Sequence, residues 1–95
     1  MPFNRYRDRS DILRLEVEIF DDPMSGMLLN YLVSKYGNEY FYVIDISGNK
    51  KLNGYIMAGI ETTDSLYIFS LAIQENYERQ GWGSKLLNHI IYFTM

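Results

Sequence analysis

The sequence predicts one domain of the mixed α/β (α+β) class, spanning residues 1–95. A chain of 95 residues is long enough for one hydrophobic core and too short for two domains. Hydrophobic residues make up 47% of it and aromatic residues 16%, so there is enough apolar material for a packed core. Helical patterns lie near both ends, and runs of aromatic and β-branched residues lie between them. This arrangement indicates helices packed on a sheet.

The residues 11–20 match two templates. Apolar residues at every second position are typical of a strand. Ile12 and Leu15 also belong to one broad helical face, and a helix here could be capped by Ser10 or Asp11. The residue pattern alone leaves both structures open.

A second helix is predicted between a proline break and a glycine stop. Pro23 cannot continue a preceding helix and restricts the residue before it to extended conformations. Ser25 is a favourable N-cap, and Gly37 with Asn38 supplies a stop. Apolar residues recur between them at steps of three and four, at Met27, Leu28, Tyr31, Leu32 and Tyr36.

Three strands are predicted over residues 40–46, 52–62 and 65–73. All three are rich in aromatic and β-branched residues, and turn-forming residues separate them. Gly54 and Gly59 mark bends or a close approach of backbones. The third strand is apolar at nearly every position, which predicts a central strand covered on both faces.

The last predicted element is an amphipathic helix that begins near Gly81 or Gly83 and packs on the sheet. Its apolar face consists of Leu86, Leu87, Ile90, Ile91 and Phe93. His89 lies on the flank of this face, where a surface position is expected.

Residue usage excludes several kinds of site. The chain has no cysteine, which excludes disulfides, thiolate metal ligands and a thiol nucleophile, and which fits a reducing cytoplasm. It has one histidine, too few for a multi-histidine metal site. A net charge of −3 argues against nucleic-acid binding.

No apolar run reaches the roughly 18 residues of a membrane span, and the first residues lack a signal-peptide pattern, so we expect a cytoplasmic protein without a membrane segment.

The most informative motif is the pair of close glycines, Gly81 and Gly83, after an apolar strand and at a helix start. Such a helix presents unpaired N–H groups and the positive end of its dipole, and glycines let a phosphate approach them. The order Gly83, Ser84, Lys85 does not match a Walker A loop. A dinucleotide fingerprint would need a third glycine where Leu86 stands.

Residues 78–83 resemble motif A of the Gcn5-related N-acetyltransferases (GNAT), Gln/Arg-x-x-Gly-x-Gly/Ala. The strand residues 70–73 before it and the helix residues 84–87 after it agree with the family, and Glu78 departs from it. Residues 11–25 resemble the opening of the ribosomal-protein alanine N-terminal acetyltransferase subgroup. This resemblance favours a helix for residues 11–20 and a short strand within residues 1–7.

The resemblance implies an acetyl-CoA site. The pantetheine arm would pair with the third long strand at Leu71, Ala72 and Ile73. The pyrophosphate would lie on the glycine turn, at Arg79, Gln80, Gly81, Trp82, Gly83 and Ser84. For Trp82 itself, a partly buried loop position is expected rather than stacking on the cofactor. The acceptor would be a protein N-terminus.

No catalytic base or acid is assigned within the chain. In the N-terminal acetyltransferases these residues lie on elements that follow motif A, so the resemblance implies a domain cut short after its third helix, without a further strand, helix and two strands. Glu61 and Asp64 lie near a turn and are expected to be exposed carboxylates.

Three interpretations stay open. The chain could be a truncated or split acetyltransferase, a CoA-binding module without chemistry, or a fragment that completes itself by dimerisation or strand exchange. A noncatalytic protein-interaction module that retains the acetyltransferase fold is the alternative from another functional class. In all of these, the apolar edge of the third long strand would be exposed, which predicts a homodimer or a complementing partner.

Overall fold

Three helices pack around a three-stranded antiparallel sheet in the computed structural model, which describes residues 1–36, 39–62 and 65–94. The elements follow in the order α1 (Arg5–Ile19), α2 (Gly26–Tyr36), β1 (Phe41–Ile44), β2 (Gly54–Thr62), β3 (Ser65–Ile73), a 3₁₀ turn (Glu75–Tyr77) and α3 (Trp82–Thr94). The mixed α/β class and the order helix, helix, three strands, helix are confirmed. Within the described residues, no helix is long and apolar enough to span a bilayer.

Helix α1 confirms the helical alternative for residues 11–20, but it begins earlier than expected. Asn4 is the N-cap, and its Oδ1 accepts hydrogen bonds from the N–H groups of Tyr6 and Arg7 at 2.9 and 3.0 Å. The expected caps at Ser10 and Asp11 are therefore wrong. Instead of the strand expected within residues 1–7, an isolated bridge joins Pro2 to Tyr42 of β1. Backbone hydrogen bonds from Phe3 to Phe41 and from Val43 to Met1 flank this bridge.

Helix α2 begins as expected after the Pro23 break. The Ser25 hydroxyl caps it by accepting the N–H of Leu28 at 3.0 Å. Leu29 and Leu32 face the core, which rotates the buried face away from Met27 (82% exposed), contrary to the expected pattern. The glycine stop expected at residues 37–38 lies outside the described residues.

Strand β2, not β3, is the central strand. The order is β1-β2-β3, so β2 has a hydrogen-bonded neighbour on each side, and its Tyr55, Ile56 and Met57 are fully buried. Strand β3 lies at the edge of the described sheet, with Tyr67 55% and Ile68 43% exposed. The expectation that β3 is covered on both faces is wrong, because apolar composition does not decide which strand has two neighbours.

Two clusters cover the two faces of the sheet. On one face, α1 and α2 contribute Ile12, Leu15 and Leu29 to a cluster with Tyr55 and Met57. On the other face, α3 contributes Leu86 and Ile90 to a cluster with Ile56. This arrangement confirms the amphipathic packing expected of α3. Ile91, which was expected on the same face, is 40% exposed.

Candidate functional site

A surface cavity of about 350 Å³ lies between the end of β3 and the start of α3. We call it the glycine-turn cavity. Its lining residues come from the end of β3, the connecting turn and the first turn of α3: Leu71, Ile73, Tyr77, Glu78, Arg79, Gly81, Trp82, Gly83 and Ser84.

The structure brings seven of the nine predicted site residues to this cavity, and the exceptions are Ala72 and Gln80. Ala72 is 5% exposed and faces the opposite cluster, beside its partner Tyr55 on β2. Gln80 instead holds the turn together, because its Oε1 accepts the indole N–H of Trp82 at 3.2 Å and its Nε2 donates to the Asn76 carbonyl at 3.4 Å. Their expected contact with a cofactor stays a prediction.

The turn needs a glycine at residue 81 for its conformation. Gly81 has a φ of 82°, in the left-handed region that β-carbons disfavour. The first hydrogen bond of α3 then runs from the Lys85 N–H to the Gly81 carbonyl at 3.0 Å. The amides of Gly81, Trp82, Gly83 and Ser84 precede that bond, so they have no acceptor within the helix.

At residue 83, neither the backbone conformation nor the packing requires a glycine. Its φ is not positive, and a β-carbon there would meet only Ile73 Cγ1 at 3.8 Å, an ordinary contact distance. The missing side chain therefore leaves open space in front of the first amides of α3. This space, with the positive end of the helix dipole behind it, suits a phosphate group.

Charged and aromatic groups surround the cavity. Arg79 and Glu78 line it with opposite charges, and both are exposed. Trp82 is half-buried at the start of α3, and the Lys85 ammonium lies 4.3 Å from its ring centroid. A cation over an indole face is attracted by the ring quadrupole, so this contact stabilises the positions of Lys85 and Trp82 at the cavity rim.

A β-bulge interrupts β3 close to the cavity. Ser70 pairs with Met57 and Ile68 pairs with Ala58, so Phe69 is an extra residue on β3. As a result, Phe69 and Leu71 face opposite clusters although they are two residues apart. Bulges of this kind re-aim side chains and are common next to functional sites.

A second cavity, of about 260 Å³, lies on the α1 and α2 side of the bulge. We call it the α1–α2 cavity. It combines apolar side chains with two carboxylates: Glu16, Phe20, Asp22, Met24, Leu28, Phe69 and Ser70. Sequence reasoning missed this site. Glu16, Phe20, Asp22 and Met24 all belong to residues 11–25, on which the family resemblance partly rests, but their proximity to β3 depends on tertiary packing.

The remaining candidates do not lie at either cavity. His89 is exposed and its ring packs edge-on against Tyr42, with centroids 4.4 Å apart. Asp64 and the side chain of Glu61 lie outside the described residues. Within the described residues, no group of three carboxylates or imidazoles could hold a metal ion.

Comparison with known proteins identifies this architecture. The model of the acetyltransferase (GNAT) family matches residues 7–94. No curated protein sequence gave a match. Among solved structures, Ard1 from Thermoplasma volcanium superposes with a TM-score of 0.85 at 19% identity, covering 99% of this chain and 61% of that chain.

Two further structures are similar. The ribosomal-protein-S18-alanine N-acetyltransferase from Escherichia coli has a TM-score of 0.79 at 20% identity and covers 99% of this chain and 57% of its own. Arabidopsis thaliana Naa50, in complex with the bisubstrate analogue CoA-Ac-MVNAL, has a TM-score of 0.76 at 21% identity. The match covers 95% of this chain and 60% of the Naa50 chain. The chain thus spans about three fifths of the length of these structures. With the family model matched over nearly its whole length, the chain belongs to the acetyltransferase (GNAT) family.

Proposed function

We propose that the chain binds acetyl-CoA in the glycine-turn cavity and serves acetyl transfer to protein N-terminal α-amino groups. The proposal of a cofactor site depends on one observation, the glycine at residue 83. It leaves the amides at the start of α3 open to a phosphate, although neither its φ nor its surroundings require a glycine. The cofactor pyrophosphate would accept hydrogen bonds from these amides, and Arg79 would add a positive charge at the cavity rim.

The pantetheine arm would run along the open edge of β3, beside Leu71 and Ile73. A strand at the edge of a sheet presents backbone N–H and C=O groups that an extended amide chain can pair with. The N–H groups there would also polarise the thioester carbonyl. They would stabilise the oxyanion formed on attack by roughly 3 kcal/mol per donor.

The α1–α2 cavity supports the choice of acceptor. It lies on the opposite side of β3 from the cluster that contains Leu71 and Ile73, so an amine bound there would meet the thioester at the bulge. Transfer forms the amide C–N bond, breaks the thioester C–S bond and moves one proton from the amine to the thiolate. An α-amino group has a pKa of about 7.7 to 8.0, against about 10.4 for lysine, so it is more easily present in the neutral, nucleophilic form.

Titration calorimetry with acetyl-CoA tests the cofactor. We expect wild-type binding and an approximately tenfold or greater loss for Gly83→Ala, because the new β-carbon blocks access to the amides. The substitution should not lower thermal stability, since the β-carbon meets only an ordinary contact and alanine is the better helix former. Ser34→Ala, at an exposed position of α2, is the matched control. A folded wild-type chain that does not bind acetyl-CoA would contradict the proposal.

The alternative is a noncatalytic CoA-binding or protein-interaction module, and the exposed Tyr67 and Ile68 on β3 favour a surface that contacts a partner. Mass spectrometry of peptides incubated with the chain and acetyl-CoA distinguishes the two. We expect acetylation of a peptide with a free N-terminus and none of the same peptide with a blocked N-terminus and a free lysine. Tight cofactor binding with no turnover of either peptide would favour the noncatalytic module.

A further inference from the structure

Glu16 is a buried carboxylate that joins three parts of the chain. It lies on α1, is only 3% exposed and lines the floor of the α1–α2 cavity. Its Oε1 accepts the Met24 N–H at 2.7 Å, which ties it to the connection between α1 and α2. Its Oε2 accepts hydrogen bonds from the Tyr55 hydroxyl on β2 and, at 2.8 Å, from the Ser70 hydroxyl on β3.

The partners of Glu16 are hydrogen-bond donors rather than cations. The ion pairs among the described residues join Arg7 to Asp8, and Arg14 to Asp11 and Glu18. A buried carboxylate is costly unless its lone pairs are satisfied, and here three donors satisfy them. With both oxygens engaged and little exposure, Glu16 is poorly placed to accept a proton from a substrate amine.

The Glu16 carboxylate connects the wall of the α1–α2 cavity to the strand where the cofactor arm would bind. Met24 and Ser70 form part of the cavity wall, and Ser70 directly precedes Leu71, where the cofactor arm would bind. We propose that Glu16 is a positioning residue that clasps the α1–α2 connection to β2 and β3 and so fixes the shape of the acceptor pocket. The acceptor part of this inference rests on the proposed function.

The two simplest variants have different consequences. In Glu16→Gln, the amide oxygen can still accept the Met24 N–H, while the amide NH₂ donates to the hydroxyl oxygens of Tyr55 and Ser70, so the clasp survives without charge. In Glu16→Ala, the Met24 N–H loses its partner. Tyr55 and Ser70, whose oxygens lie 3.0 Å apart, then bond to one another.

Hydrogen exchange of the full chain tests the clasp without requiring activity. We expect the Met24 amide to exchange at least about tenfold faster in Glu16→Ala and within about threefold of wild type in Glu16→Gln. Glu39→Gln, at an exposed glutamate, is the control for the charge change alone. If the Met24 amide exchanged equally fast in Glu16→Gln and Glu16→Ala, the clasp would be overturned, because the charge rather than the hydrogen-bond geometry would then be required. An unchanged exchange rate in Glu16→Ala would also overturn it.

Ligand binding tests the link to the acceptor. We expect Glu16→Ala to weaken binding of a peptide with a free N-terminus by about tenfold while acetyl-CoA affinity changes less than about twofold, and Glu16→Gln to restore peptide binding. A parallel loss of both ligands would show that Glu16 supports the fold as a whole and would overturn the acceptor role. If the wild type binds neither ligand, the proposed function fails, and the exchange rates at Met24 still decide whether the clasp exists.

Discussion

At the scale of single residues, Asn4 determines where the domain's first helix begins. Its side chain accepts two N–H groups of the first turn, and its own N–H donates to the Asp8 carboxylate at 2.8 Å. The Asp8 carboxylate thus satisfies the N–H group of the cap residue, as the acidic side chain of a capping box does. Asp8 is 1% exposed, so the bond also anchors the helix start against the interior.

Removing this cap has a predictable cost. We expect Asn4→Ala to lower the free energy of unfolding by about 1 kcal/mol, because two N–H groups lose their acceptor. Urea denaturation followed by circular dichroism measures the change. Asn88→Ala, at an exposed position in α3, is the control and should change stability by less than about 0.5 kcal/mol. Equal effects of the two substitutions would mean that the Asn4 bonds do not stabilise the folded state.

At the scale of elements, Gly54 allows β2 to approach the strands on both sides of it. A β-carbon at Gly54 would lie 2.5 Å from Ile73 Cδ1 and 2.9 Å from the Ala72 carbonyl oxygen. The side chain of Ile73 can rotate away, but the carbonyl belongs to the β3 backbone. The sequence-based expectation of a close backbone approach is therefore confirmed at this residue.

We predict that Gly54→Ala destabilises the domain by about 1–3 kcal/mol, because β2 and β3 must separate to admit the methyl group. Thermal unfolding measures the loss. Gly83→Ala provides the comparison, because the same methyl group meets only an ordinary contact at 3.8 Å there. If both variants unfolded at the wild-type temperature, the close approach at Gly54 would not affect the stability of the domain.

At the scale of the whole molecule, the edge of the described sheet at β3 combines exposed apolar side chains with strand backbone. Tyr67 and Ile68 are 55% and 43% exposed on this strand, and no strand among the described residues pairs with its outer side. We expect the chain to self-associate through this edge at high concentration, and acetyl-CoA to oppose association by pairing with the same strand.

Sedimentation velocity over a range of concentrations tests this prediction. Ile68→Lys should shift the chain towards monomer, because a charge at a strand edge disfavours pairing. Val17→Lys, which places the same charge at a 69% exposed position on α1, should not. A wild-type chain that stays monomeric at every concentration would contradict edge pairing.

Local patterns in the sequence predicted much of this architecture. The Pro23 break, the Ser25 cap and the three strands could be read from nearest neighbours, because caps, turns and period-two patterns are local properties. The glycine turn could also be read, because a helix start beside a strand brings Gly81 and Gly83 to one place without help from the rest of the chain. The resemblance to the family depended on this turn, on the strand before it and on residues 11–25, and the match of the family model confirms it.

Only the tertiary structure decided which strand is central, which side chains meet and where the second cavity lies. The burial of β2 rather than β3 depends on which strand pairs on both sides, which apolar composition does not encode. Glu16 meets Ser70 across 54 residues of sequence. The sequence by itself therefore determined most of the elements and the glycine turn, because these arise from adjacent residues. The contacts that shape the α1–α2 cavity arise from packing between distant segments, and only the tertiary structure shows them.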